Sequence, residues 1–160
     1  MYRLTPGDDE KHGHGREAYS DGGVFEGQFM AGQRHGEGTL QYACGDVYTG
    51  QWSLDNKHGE GSFYWANGST YEGEFSVGVV QGLGHCRFAD GSSYQGQYVD
   101  AKRHGRGTFT DANGKSDSAR WHDGQRVGKA PAQSSGTLAS SARKLATRLT
   151  TSTASTAPGA

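Results

Sequence analysis

His35, His58 and His104 each introduce a Gly-x-Gly, and Gln81 stands in the same place before Gly82 and Gly84. Imidazoles at a fixed interval can ligate a metal or move a proton, so their spacing decides which chemistry is open. The interval is 23 residues; with two strands per interval, neighbouring side chains start about 10 Å apart. Zinc holds its ligand atoms about 2 Å from one ion, so in-phase histidines make no metal site. Gln81 serves in the same phase without being a comparable ligand. A histidine here is expected to tie down a turn by hydrogen bonds, and no metal or other cofactor is expected.

Catalytic sets fare no better. Ser, His and Asp are plentiful, but the chain has no Gly-x-Ser-x-Gly elbow, no phosphate-cradling loop leading into a helix and no Cys-x-x-Cys pair. The Gly-x-Gly pieces recur in every unit and read as structural. A non-enzymatic protein follows, and binding is the chemistry that remains.

The elements that position these residues are set by the same 23-residue period. An aromatic opens each unit at Phe25, Tyr48, Tyr71 and Tyr94, with glycine two residues later and a second aromatic at Phe29, Trp52, Phe75 and Tyr98. Closing glycines fall at Gly45, Gly68, Gly91 and Gly114. Four full units span 25–47, 48–70, 71–93 and 94–116. A half unit at 12–24 and a degenerate cap at 117–128 complete an array over 12–128, between a polar segment at 1–11 and a tail at 129–160. Atypical end units are usual in repeat arrays.

Alternation within each unit predicts strands. Tyr71, Gly73 and Phe75 point one way while Glu72 and Glu74 point the other; Gly59, Gly61, Phe63 and Trp65 oppose Glu60, Ser62 and Tyr64. Asn67-Gly68, Asp90-Gly91 and Asn113-Gly114 fit hairpin turns in which both residues tolerate positive φ. Only 32% of the 160 residues are apolar while 27 are glycine, which leaves no thick core. Glycines between the aromatics let rings lie over neighbouring backbone. The predicted fold is all-β: an elongated, curved and twisted single-layer antiparallel meander of hairpin repeats, with a short C-terminal helix over 138–149.

The pattern Tyr48-Thr49-Gly50-Gln51-Trp52 followed by His58-Gly59-Glu60-Gly61 resembles the MORN (membrane occupation and recognition nexus) repeat, and the resemblance covers about residues 12–128. It implies a non-enzymatic scaffold of the kind found in cytoskeletal and membrane-associated structures, among them ciliary and flagellar axonemes. The protein partner would be a helical segment or peptide, and self-association through the terminal repeats fits the exposed strand edges of an open meander.

A groove for such a partner is expected on the aromatic face, lined by Phe29, Trp52, Phe75 and Tyr98 in one row and Tyr42, Trp65 and Phe88 in another, because a single-layer sheet has no second layer to cover that face. The rings' packing on one another and on glycine backbone competes for the same surface. A side patch of Val77, Val79, Val80 and Leu83 breaks the polar character of the third unit. From Lys129 onward the tail carries four bases and no acid, against 12 bases and 17 acids before it. Leu138, Ala142, Leu145 and Leu149 have helical spacing there, so a basic helix could dock on the acidic array; the alternative is a disordered tail rich in Ser, Thr and Ala.

Charge ranks the remaining partners. The array is net acidic, which disfavours nucleic acid and puts anionic membrane lipid second, with Lys102, Arg103 and Arg106 as its cluster of bases. No apolar run approaches the roughly 20 residues that span a bilayer, and the first residues lack the apolar stretch of a signal peptide. The expected setting is cytoplasmic and cytoskeleton-associated, such as a cilium or flagellum. Cys86 reads as a small core residue and Cys44 as a surface thiol, with no disulfide between them.

Overall fold

The computed structural model describes residues 3–5 and 8–130. Strands β1 (Arg3–Thr5) and β2 (Asp8–Ala18) lead into five hairpins: β3 (Val24–Met30) with β4 (Gln33–Gln41), β5 (Val47–Ser53) with β6 (Asn56–Tyr64), β7 (Thr70–Ser76) with β8 (Val79–Arg87), β9 (Ser93–Val99) with β10 (Lys102–Thr110), and β11 (Ser116–His122) with β12 (Gln125–Lys129). Every strand pairs antiparallel with its sequence neighbours in a single open sheet. The expected all-β meander is what forms, and no helix occurs among the described residues. The helix expected over 138–149 lies outside them. At the other end β2 begins at Asp8, four residues before the expected start of the array at 12, and pairs with β1.

The two kinds of turn divide the work differently from the sequence expectation. Within each hairpin a two-residue turn puts both central residues at positive φ, as at Leu54 (48°) and Asp55 (65°) or Val77 (48°) and Gly78 (82°). This is the turn whose twist suits tightly linked strands. The amide of the second residue donates to a carbonyl in the preceding unit, Asp55 N–H to Arg34 and Gly78 N–H to Lys57, so each turn leans on its predecessor. Between hairpins only the glycine takes positive φ, for instance Gly68 at 89°. Asn67 and Asp90 do not enter that region; their side chains instead accept the amides of Ser69 and Ser92 at 2.9 Å each. The Asn-Gly and Asp-Gly signals thus mark Asx turns closed by a left-handed glycine rather than doubly left-handed ones.

The first glycine of each Gly-x-Gly is also reassigned. Gly36, Gly59, Gly82 and Gly105 have φ of 60–73° at a register shift in the ladder. They are bulge residues. Beside each bulge a side chain from the facing strand accepts the next amide: Gln28 from Glu37, Gln51 from Glu60, Glu74 from Leu83 and Gln97 from Arg106, at 3.0–3.2 Å. A side chain at Gly59 would run into the Gln51 amide.

The core is one layer of rings lying on glycine. Phe25, Tyr48, Tyr71 and Tyr94 are at most 1% exposed, and each covers a cross-strand glycine pair: Gly27 and Gly38, Gly50 and Gly61, Gly73 and Gly84, Gly96 and Gly107. Tyr48, Tyr71 and Tyr94 donate their hydroxyls to the carbonyls of Gln51, Glu74 and Gln97 at 2.8, 3.1 and 3.2 Å. Burial pushes the Tyr48, Tyr71 and Tyr98 hydroxyls far above the ordinary tyrosine value and that of Tyr94 up to about 12. These phenols stay neutral throughout the physiological range.

Candidate functional site

The period brings the rings into a continuous chain. From Phe29 the contacts run through Phe25, Trp52, Tyr48, Phe75, Tyr71, Tyr98 and Tyr94 to Trp121, every step edge to face with centroids 5.1–5.4 Å apart and planes at 81–89°. Each opening ring touches the second ring of its own unit and that of the next. Such pairs add about 0.5–1.5 kcal/mol beyond their area, so the chain is a major cohesive element.

This packing splits the expected groove. Phe29, Trp52, Phe75 and Tyr98 are only 4–7% exposed and belong to the core; their surface is taken by the opening rings, so they do not line an open groove. Tyr42, Trp65 and Phe88 are half-buried, packed from the outside against that core together with Tyr19, Phe63 and Phe109. Phe63 and Trp65 lie 4.7 Å apart, and Tyr42 stands 5.9 Å from Phe63. Because Tyr19, Tyr42, Trp65 and Phe88 each open a between-hairpin turn, this partly open aromatic margin follows the turn side of the sheet. Its chemistry is apolar contact with a few hydroxyl and indole donors, which suits a protein side-chain row.

A row of cations flanking the rings was missed in the sequence reading. Arg34 lies 4.4 Å from the Trp52 ring, Lys57 4.8 Å from Phe63, and Arg103 4.3 Å from Trp121. Arg34 is fixed by Asp55, whose carboxylate and carbonyl each accept from it at 2.9 Å; Arg103 donates to the Gly124 carbonyl at 3.1 Å. The signal was a base immediately before each in-phase histidine, at Lys11, Arg34, Lys57 and Arg103. Val80 occupies this phase in the third unit and packs on the core, which explains part of that unit's apolar character. Arg103 is therefore spent on a ring and a turn, and the basic cluster suggested for lipid retains Lys102 and Arg106 as its exposed members.

The side patch divides likewise. Val77 and Val79 are 69% and 42% exposed, whereas Val80 is in the packing and Leu83 is half-buried with its amide tied to Glu74. At the C-terminal end of the array Asp117 stands where an opening ring would and pairs with Arg126 at 2.8 Å, and near the other end Lys11 pairs with Glu17. Cys86 is buried, its thiol pushed up by burial, and Cys44 is exposed; both are free. On the polar face a shallow cavity of about 750 Å³ opens over β2–β5, lined by Arg16, Glu26, Glu37, Thr39, Gln41 and Thr49 among others. None of the seven expected groove rings lines it. The docking residues Leu138, Ala142, Leu145 and Leu149 lie outside the described residues.

The in-phase position does anchor turns where a bond is formed: His12 Nδ1 accepts the Ala31 amide at 3.4 Å and Gln81 Oε1 the Asp100 amide at 3.1 Å. The partner is 19 residues on. Comparing in-phase histidines alone overlooked a different neighbour, since the lattice sets His104 against His122, with ring centroids 4.9 Å apart.

A family model for the MORN repeat matches five consecutive segments, residues 8–24, 25–47, 48–70, 71–93 and 94–116. The last four coincide with the units read from the period, and the first begins where β2 does. No match is found among curated proteins. Among solved structures, that of the SAS-4 (dCPAP) TCP domain in complex with a proline-rich motif of Ana2 (dSTIL) of Drosophila melanogaster is 16% identical, with a TM-score of 0.40 over 76% of this chain and 77% of that one.

Proposed function

Because this chain belongs to the MORN repeat family, we propose that it is a non-enzymatic scaffold whose aromatic margin, Tyr42, Trp65 and Phe88, holds a helical segment or peptide of a partner protein. The observation that carries this reading is the division of the rings: the inner rows are used up in the core, while the outer row stays half-buried on a sheet with no second layer among the described residues. Covering the exposed part of each outer ring is worth about 1 kcal/mol. Three such rings in a row support a specific but reversible contact.

The reading extends to a cytoplasmic, cytoskeletal setting such as a ciliary or flagellar axoneme, in keeping with what MORN resemblance implies. Affinity capture of the tagged protein from its own cells, comparing wild type with Trp65→Ala, Phe88→Ala, tests both parts. Removing two rings is expected to weaken the contact roughly 10- to 30-fold and to deplete a cytoskeletal partner. An unchanged partner set from a double mutant with wild-type thermal stability would refute the margin as the working surface. Capture of membrane proteins, with binding to anionic vesicles at low salt, would move the function to lipid.

A further inference from the structure

We propose that His104, His122 and Asp123 form a binding site for a divalent transition-metal ion of the zinc, nickel or copper class at the C-terminal end of the array. Ligand atoms of the three residues lie within 4.8 Å of one another, and His122 Nε2 is 3.6 Å from Asp123 Oδ2. Two imidazoles and one carboxylate suit a transition metal, whereas calcium and magnesium seek six or more oxygens.

The placement follows from the strand lattice. The in-phase position sits beside the hairpin turn of the next unit, as the bonds from Ala31 to His12 and from Asp100 to Gln81 show. Residues 18 and 19 further on therefore face it. In the body of the array these are Ser53 and Leu54, Ser76 and Val77, then Val99 and Asp100; only the last full unit meets a histidine followed by an aspartate. Buried Nδ1 atoms without a hydrogen-bond partner occur at both His35 and His104, so that feature belongs to the phase. The His122-Asp123 pair belongs to the end.

Little movement is needed to close the set. Tetrahedral zinc with bonds of about 2 Å holds its ligand atoms roughly 3.3 Å apart. The His122 and Asp123 side chains are 65% and 62% exposed, so side-chain rotation can bring both toward the half-buried His104. The fourth position is left to water. A bound ion would join β10 to the final hairpin turn and reinforce the end of the sheet, where a repeat array has one neighbour fewer.

Isothermal titration of the full chain with zinc chloride tests the proposal. The expected result is one saturable equivalent, a rise in Tm with zinc, and loss of both in His122→Ser, which installs the residue found in this phase at Ser53 and Ser76. Asp123→Asn should weaken binding at least roughly tenfold, since loss of even an outer-shell partner costs about 10- to 100-fold. His58→Gln, patterned on Gln81, should leave it unchanged. The site is overturned if wild type takes up no zinc, or if His122→Ser, with its circular dichroism unaltered, binds as wild type does.

Discussion

Replacing Gly61 by alanine adds one methyl group at the point where the core is thinnest. Its Cβ would lie 2.5 Å from the Tyr48 hydroxyl oxygen and 2.7 and 2.8 Å from two ring carbons. Ordinary contact is about 3.5 Å or more, so the ring must retreat by roughly 1 Å. That retreat loosens the edge-to-face contacts of Tyr48 with Trp52 and Phe75, now at 5.2 and 5.1 Å, and stretches the bond to the Gln51 carbonyl. A gap of that size forfeits a quarter to a half of each contact. With two ring pairs and one hydrogen bond each worth about 1 kcal/mol, that loss is about 1 kcal/mol. The strain of forcing a methyl group into packed structure adds about 1–2 kcal/mol, for a total of about 2–3 kcal/mol. Alanine returns about 0.4–1 kcal/mol by restricting the unfolded chain, leaving a net destabilisation of about 1–2 kcal/mol and a fall in Tm of roughly 5 °C. Gly128 supplies the contrast, because nothing lies within 4 Å of a Cβ built there; Gly128→Ala should be neutral or slightly stabilising. Thermal and urea unfolding of the two variants beside wild type measure the difference. If Gly61→Ala unfolds within 0.5 kcal/mol of Gly128→Ala, the rings do not depend on bare backbone and the account of the core fails.

Two further outcomes follow from single residues. Val77 holds φ of 48° while 69% exposed, so Val77→Asn should raise stability by about 1 kcal/mol, because a β-branched side chain is poorly suited to the left-handed region; a loss in urea midpoint would contradict this. Burial, and to a lesser degree Arg87, lowers the pKa of the His85 imidazole, so the folded chain takes up its proton less readily than the unfolded chain. That contribution to stability is whole at pH 7.5 and is lost as pH falls below about 6.5, the unfolded value; His85→Thr, the residue at the same phase in Thr39 and Thr108, should lose less stability than wild type between pH 7.5 and 5.5 in paired denaturation curves.

The repeat units and the ring-over-glycine packing are legible in the sequence because both are strictly periodic: Tyr48 and Gly50 recur as Tyr71 and Gly73. What is not legible is which of two equally periodic ring rows is covered. Trp52 and Trp65 are the same residue type on the same face, yet Trp52 is 4% exposed because it is held between Phe25 and Tyr48, while Trp65 opens a turn at the margin. Alternation also hides a bulge: Gly59 and Gly61 look like equal strand positions, but the Gln51 amide fills the space beside one and the Tyr48 ring that beside the other. Contacts that cross units at other offsets, such as His104 with His122, leave no trace in a search confined to one phase.

The chain of rings also sets a scale of length. Tyr48 meets Trp52 four residues on and Phe75 27 residues on, so every seam between units is the same pair of contacts. An array lacking residues 48–70 would seat Phe75 beside Phe25 where Trp52 now sits, and an added unit would find both of its seams ready. Each such change lengthens or shortens the sheet by two strands, about 10 Å. Any two groups attached at opposite ends would therefore be spaced in whole steps, and duplication or loss of a unit would reset the distance between them while leaving each end's own contacts as they are.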